Sequence, residues 1–199
     1  MQKNMWSFKL STASLVLIPA AVGINYIGKM FAQLLKLPLW LDAIGTVLAA
    51  MLGGPIVGAL TGAINNIIYG LTVDPMSFAY AITNVAIGIT VGVLSAQGKI
   101  KSLPGAILAG LIVAVVATLV STPLNIMLWG GQTGNVWGDA LFAAMTANGM
   151  PIWLASLADE LSVDLIDKVA TVVLAFGLFK GLPKNLTVLF DGKEKIEKL

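Results

Sequence analysis

The sequence contains no cysteine, no histidine and no arginine. These absences exclude disulfide bonds, thiolate zinc sites, haem ligation by histidine, and nucleophiles of the cysteine or histidine type. All 12 basic residues are lysines, and they form no basic face with interleaved aromatic residues. We therefore expect neither a metal site nor a nucleic-acid partner.

Charge is scarce as well. Only 11% of the 199 residues are charged, the net charge is +2, and 57% are hydrophobic, with a mean hydropathy of +0.89. A soluble domain usually has about 25% charged residues. This composition predicts an all-α integral membrane protein, and the length predicts one transmembrane domain over residues 1–199.

Sequence motifs for catalysis are also missing. The chain has no phosphate-binding loop of the Walker type, no dinucleotide-binding fingerprint and no nucleophile elbow. We expect a non-enzyme without a cofactor of its own. If it moves a solute uphill, the energy must come from a gradient or from partner ATPases that bind ATP and magnesium.

Apolar runs of about 20 residues predict membrane spans. We expect six spans, at residues 11–31, 42–53, 55–71, 77–96, 104–129 and 159–180. The connection over 130–158 is the longest and is predicted to be an outer lid loop, because long loops are usually functional or disordered. Residues 185–199 are predicted to be a charged tail.

The distribution of lysines predicts the orientation, since positive charge concentrates in cytoplasmic loops. With the N-terminus inside, only Lys29 and Lys36 fall on the outer side. The cytoplasmic set is larger and comprises Lys3, Lys9, Lys99, Lys101, Lys180, Lys184, Lys193, Lys195 and Lys198. Both termini are therefore predicted to be cytoplasmic, and the loops at 32–41, 72–77 and 130–158 are predicted to share the outer face.

Polar residues inside the predicted spans map to the outer half, where such groups often mark a substrate path. The candidate substrate-binding residues are Asn66, Tyr69, Tyr80, Asn84, Asn125, Trp129, Gln132 and Asp164.

Several of these polar residues also have a purely structural interpretation. Asn65 and Asn66 could hydrogen-bond across helices, and Asp42 could be the N-cap of its helix. Asp164 and Lys168 are four apart and could form a helical salt bridge. Trp40, Trp129, Trp137 and Trp153 could be interfacial anchors, although the last three adjoin the long loop, where they could also stack on a ligand.

Small residues recur every four positions in two spans. Gly54, Gly58 and Gly62 form one ladder, and Gly88, Gly92 and Ala96 form another. Such ladders allow close helix packing, either within the protein or against a partner helix.

Three stretches resemble the S components, the substrate-binding membrane subunits, of energy-coupling factor (ECF) vitamin transporters. They are residues 37–94, which begin LPLWLDAIGTVLAAMLGGP, residues 121–135 (STPLNIMLWGGQTGN) and residues 164–183 (DLIDKVATVVLAFGLFKGLP). The resemblance covers most of residues 11–184.

The resemblance implies a six-helix S-component fold in a prokaryotic plasma membrane. It implies binding of a vitamin at the outer face, and association with a membrane T component and two cytosolic ATPases, against which the subunit topples to deliver its ligand. Members dock through an Ala-x-x-x-Ala pattern in the first helix, which is absent here as such. The candidate docking residues are Ala13, Ala20, Gly28, Ala32, Gly54, Gly58 and Gly62.

The branch that this chain is similar to suggests pyridoxine or hydroxymethylpyrimidine as the substrate. Cobalamin or a queuosine precursor is the alternative within the same role. Two other classes stay open at this point: a membrane sensor domain, and a stand-alone carrier driven by an ion gradient, for which no convincing internal repeat is found.

Overall fold

The computed structural model describes residues 10–190, and this part of the chain is all-helical, which confirms the predicted fold class at that level. Lys3, Lys9, Lys193, Lys195 and Lys198, and the predicted tail from residue 191 onward, lie outside the described residues. The helices are α1 (Thr12–Leu34), α2 (Ile44–Gly53), α3 (Pro55–Thr72), a 3-10 helix (Pro75–Phe78), α4 (Ala81–Ala96), α5 (Leu103–Trp129), α6 (Val136–Ala147), α7 (Ile152–Gly181) and α8 (Lys184–Val188).

Two of these helices, α1 and α5, are long and apolar enough to cross a membrane. The apolar helices α2, α4 and α6 are shorter, with 10, 16 and 12 residues. At 1.5 Å per residue α2 is about 15 Å long, roughly half the thickness of the hydrocarbon core of a bilayer. A membrane crossing at each of the six predicted segments stays a prediction.

The segment predicted as a lid loop, residues 130–158, is largely helical. It contains α6, and α7 begins at Ile152, ahead of the predicted start at residue 159. The helix includes Asp159 and Glu160, which are buried but hydrogen-bonded, since Asp159 Oδ1 accepts from the Thr133 hydroxyl and Glu160 Oε2 accepts from Asn125 Nδ2.

A buried asparagine of α1 completes the N-terminus of α2. The N-cap of α2 is Ala43 and makes no side-chain hydrogen bond, so the prediction that Asp42 is the N-cap is wrong. Asn25 Oδ1 instead accepts from the N–H groups of Gly45 (2.6 Å) and Thr46 (3.2 Å), and its Nδ2 donates to Thr46 Oγ1 at 2.9 Å. The first helix thus satisfies donors that the helix end leaves open.

The two glycine ladders pack against each other at the interface of α3 and α4. A Cβ added at Gly88 would overlap the backbone of Gly58, and one added at Gly62 would lie 2.6 Å from the carbonyl oxygen of Asn84. A Cβ at Gly92 would overlap Pro55, beside Gly54, in the same way. The ladders therefore serve internal packing.

This packing corrects part of the predicted docking surface. Gly54, Gly58 and Gly62 face α4, and Gly28 lies against the backbone of Leu41, while Ala32 is buried in the core. Ala32, Gly58 and Gly62 are buried and are therefore not free for a partner helix, whereas Gly28 and Gly54 are half-buried. Ala20 is exposed and Ala13 is half-buried, so these two predicted docking residues of α1 stay accessible.

Polar and apolar side chains are distributed in the reverse of the usual pattern of a soluble protein. Large apolar side chains such as Ile27, Leu119 and Met127 are 71%, 62% and 81% exposed. Several charged and amide side chains, among them Asp164 and Asn125, are almost fully buried. An apolar exterior of this extent is typical of a surface that is covered by lipid or by other protein.

Candidate functional site

A cavity of about 420 Å³ opens at one end of the helices. This is the end at which α1, α3 and α5 finish and α2, α4 and α7 begin. Residues of all three loops predicted to share a face line it, for example Trp40, Asp74 and Gln132. The volume lies in the range of small-molecule sites, about 300–1,000 Å³.

A chain of hydrogen bonds runs from the rim of the cavity to Glu160. The indole Nε1 of Trp129 donates to the Tyr80 hydroxyl at 2.9 Å, and this hydroxyl donates to Asn125 Oδ1 at 2.6 Å. Asn125 Nδ2 then donates to Glu160 Oε2 at 3.0 Å. The direction is fixed because an indole can only donate and a phenol has one proton.

Charged residues at four-residue spacing line the cavity along α7. They are Glu160, Asp164 and Lys168, which share one helical face. Lys168 Nζ lies 3.2 Å from Asp164 Oδ1 and 2.6 Å from Asp167 Oδ2, and all three side chains are buried. The predicted salt bridge between Asp164 and Lys168 is thus confirmed.

The same carboxylate of Asp167 holds the loop before α2. Its Oδ1 accepts from the backbone N–H groups of Trp40 and Leu41, each at 2.9 Å. Leu41 has a positive φ of 50°, which a residue with a side chain adopts only when its surroundings impose it. This loop brings Trp40 and Asp42 to the cavity wall.

The connection between α5 and α6 covers another side of the cavity. Asp139 Oδ1 accepts from the N–H groups of Thr133 (2.9 Å) and Gly134 (3.2 Å), which folds the loop back on the start of α6. The Thr133 hydroxyl also donates to Asp159 Oδ1 at 3.1 Å, which ties the loop to α7. Thr133, Gly134 and Asp139 all line the cavity.

Six of the eight predicted substrate-binding residues line this cavity. They are Tyr80, Asn84, Asn125, Trp129, Gln132 and Asp164. Most of the residues predicted from the sequence therefore lie around one cavity, although they come from several separate helices. Whether these residues contact a substrate stays a prediction.

The other two predicted residues, Asn66 and Tyr69, do not line the cavity. Asn66 Oδ1 accepts from Asn84 Nδ2 at 2.8 Å, and its own Nδ2 donates to the carbonyl oxygen of Ser77 at 3.0 Å. The Tyr69 hydroxyl donates to Gln33 Oε1 at 2.8 Å. The prediction that these two residues line the site is therefore corrected: each lies behind the cavity wall and is hydrogen-bonded to a residue that lines it. For Asn66 this agrees with the interpretation that it hydrogen-bonds across helices.

Several lining residues were not among the predicted site residues. Glu160 and Lys168 could have been found, because they continue the four-residue spacing through Asp164. Others carry no sequence signal of their own, since a loop or a helix crossing places them: Lys29, Gln33, Trp40, Ser77, Thr83, Ser121, Thr133 and Asp139.

Two tryptophans of the predicted lid lie away from the cavity. Trp137 and Trp153 are 64% and 60% exposed and do not line it. They match the interfacial-anchor interpretation better than stacking on a ligand in this cavity.

The chain was compared with known proteins by sequence and by structure. No protein-family model, no curated protein and no solved structure matches it. The geometry of the cavity and the chemistry of its lining therefore carry the functional argument.

Proposed function

We propose that this chain is the substrate-binding membrane subunit, or S component, of an ECF-type importer. In this role it binds a vitamin or vitamin precursor in the cavity described above. A membrane T component and two cytosolic ATPases are the proposed partners, and the subunit delivers its ligand by toppling against them. The proposal includes six membrane spans in a prokaryotic plasma membrane and cytoplasmic termini.

The observation that carries this proposal is a polar cavity at one end of helices with an apolar exterior. Buried polar groups such as Asn125, Glu160 and Asp164 surround the cavity. In a lipid environment such groups are costly and are usually kept for function.

The distribution of lysines supports an outward-facing cavity. Lys29 and Lys36 lie near the end of the helices at which the cavity opens. Lys99, Lys101 and Lys180 lie near the opposite end of the helices. Because positive charge concentrates in cytoplasmic loops, the cavity end is the proposed external one.

The size of the cavity favours a small ligand. A volume of about 420 Å³ suits a single ring system with short substituents, such as hydroxymethylpyrimidine or pyridoxine. Cobalamin has several times as many atoms and would need a much wider mouth. The aromatic rings of Trp129 and Tyr80 offer flat surfaces for stacking on such a ring.

Thermal unfolding of the purified protein with a panel of vitamins tests binding. We expect one member of the panel to raise the midpoint without nucleotide, because a ligand at about 100 times its dissociation constant stabilises by about 2.7 kcal/mol. No shift with any member would overturn the proposed binding role.

Uptake into liposomes tests the dependence on partners. We expect uptake only when the T component, the ATPases and ATP are present. Uptake by the isolated protein under an ion gradient would contradict the proposal and favour a stand-alone carrier.

A further inference from the structure

We infer that the ligand of this cavity carries a positively charged nitrogen, which the carboxylate of Glu160 binds. This inference rests on the proposed function, since it names the chemical class of the substrate of the same site. It commits to an aromatic ring with a protonated amine.

The first support is the free oxygen of Glu160. The side chain is 5% exposed and lines the cavity, and only Oε2 accepts a hydrogen bond from the described residues. The other oxygen, Oε1, has no donor among the described residues and is not enclosed by the protein, so it is accessible from the cavity. A ligand with an N–H donor would complete this acceptor.

The second support is the direction of the hydrogen bonds that lead to Glu160. Each donor in the chain from Trp129 through Tyr80 and Asn125 points towards this carboxylate. Aligned hydrogen bonds polarise one another, so the chain stabilises negative charge at its end. A cationic ligand beside Glu160 would add to the stabilisation of this negative charge.

The third support is the balance of charge on the cavity wall. Five carboxylates line it, those of Asp42, Asp74, Asp139, Glu160 and Asp164, against only two lysines.

Both lysines of the wall are already engaged with other groups of the protein. Lys168 forms ion pairs with Asp164 and with Asp167, and Lys29 Nζ lies 4.1 Å above the ring of Tyr69. The carboxylates of Glu160 and Asp42 have no lysine partner among the described residues. The resulting field attracts a cation, and an anionic ligand would be repelled.

The arrangement suits an organic cation better than a metal ion. In the described part of the chain, no group of three or more carboxylates is placed to hold a metal. The rings of Tyr80 and Trp129 line the same cavity as Glu160. Aromatic faces stabilise organic cations by cation–π attraction.

Matched pairs of ligands test the inference. Pyridoxamine and pyridoxine share a ring and differ in one aminomethyl against one hydroxymethyl group, and benzylamine and benzyl alcohol differ in the same way. We expect each amine, which is protonated near neutral pH, to bind the purified protein about tenfold or more tightly than its alcohol, as one charged hydrogen bond implies.

Two variants test the role of Glu160. Glu160→Gln keeps the size and an acceptor for Asn125 but removes the charge, and we expect it to abolish the preference for the amine. Asp74→Asn removes another carboxylate of the cavity wall and should reduce the preference less. An equal reduction in both variants would overturn the assignment to Glu160.

Failure of the inference and failure of the proposed function give different binding results. If alcohols or neutral vitamins bind as tightly as the amines, the inference is overturned and the proposed binding role stands. If neither pair nor any vitamin of the panel binds, the proposed function fails together with the inference.

Discussion

Asp167 Oδ1 accepts the backbone N–H of Leu41 at 2.9 Å, across more than a hundred residues of sequence. The same oxygen accepts from Trp40, while Oδ2 pairs with Lys168. One carboxylate of α7 therefore fixes both a lysine of the cavity wall and the loop that carries Trp40 and Asp42 to it.

Removal of this carboxylate should destabilise the fold strongly. We expect Asp167→Ala to lower the free energy of unfolding by about 3–5 kcal/mol, because it breaks a buried ion pair and leaves the N–H groups of Trp40 and Leu41 without their acceptor. Asp167→Asn should cost less, since it keeps an oxygen for the two N–H groups. Thermal unfolding in detergent measures both.

The exposed Lys99→Ala variant is the control for a lost surface charge. An Asp167→Ala protein that unfolds at the same temperature as Lys99→Ala would show that the Asp167 contacts contribute nothing.

Close packing of the glycine ladders should make Gly88 intolerant of any side chain. A Cβ there would overlap the backbone of Gly58, which cannot rotate away. We expect Gly88→Ala to lower the unfolding temperature, although alanine favours a helix by about 1 kcal/mol over glycine.

Gly23 and Gly177 are matched controls within helices, since nothing lies within 4 Å of a Cβ at either position. Their alanine variants should keep or raise the unfolding temperature. If Gly88→Ala behaves like these two, the ladders do not pack as described.

The buried amide of Asn25 should be needed for the start of α2. In Asn25→Ala the N–H groups of Gly45 and Thr46 lose their acceptor, and we expect a loss of about 1–3 kcal/mol of stability. Asn148→Ala removes an exposed amide and should cost little. Equal unfolding temperatures for the two variants would contradict the capping role.

These particulars show what residue pattern alone could reveal. Four-residue spacing predicted close approach at Gly54, Gly58 and Gly62, because spacing determines which residues share a helical face. It could not reveal that Gly88 and Gly92 are their partners, since that depends on how α3 and α4 cross. Because the spacing does not show how the helices cross, it also allowed the prediction that Gly54, Gly58 and Gly62 dock a partner helix.

The site could be predicted to a similar extent. Buried amides and aromatics of the spans, such as Asn84 and Trp129, were found because polar groups are rare in apolar runs. Asn25 was not found, because its role depends on contact with another helix. The separation of Asn84, on the wall, from Asn66, behind it, likewise depends on side-chain direction.

Asn84 and Asn66 should differ in how they affect binding. Asn84→Ala removes a group of the cavity wall and should weaken ligand binding more than it lowers stability. Asn66→Ala should mainly lower the unfolding temperature, because it removes the hydrogen bonds that Asn65, Ser77 and Asn84 make with the Asn66 amide. Titration calorimetry with the ligand found in the vitamin panel, alongside thermal unfolding, separates the two effects. The reverse order would place Asn66 in contact with the ligand.

The central claim is that the cavity binds a small heteroaromatic molecule, and mass spectrometry of what co-purifies from native membranes tests it most directly. Wild-type protein and Trp153→Ala, whose side chain is exposed away from the cavity, should carry the same small molecule with a ring and a basic nitrogen. Trp129→Ala, which removes an aromatic ring from the cavity wall, should lose it. No enriched molecule in wild-type protein, or equal retention by Trp129→Ala, would contradict the claim.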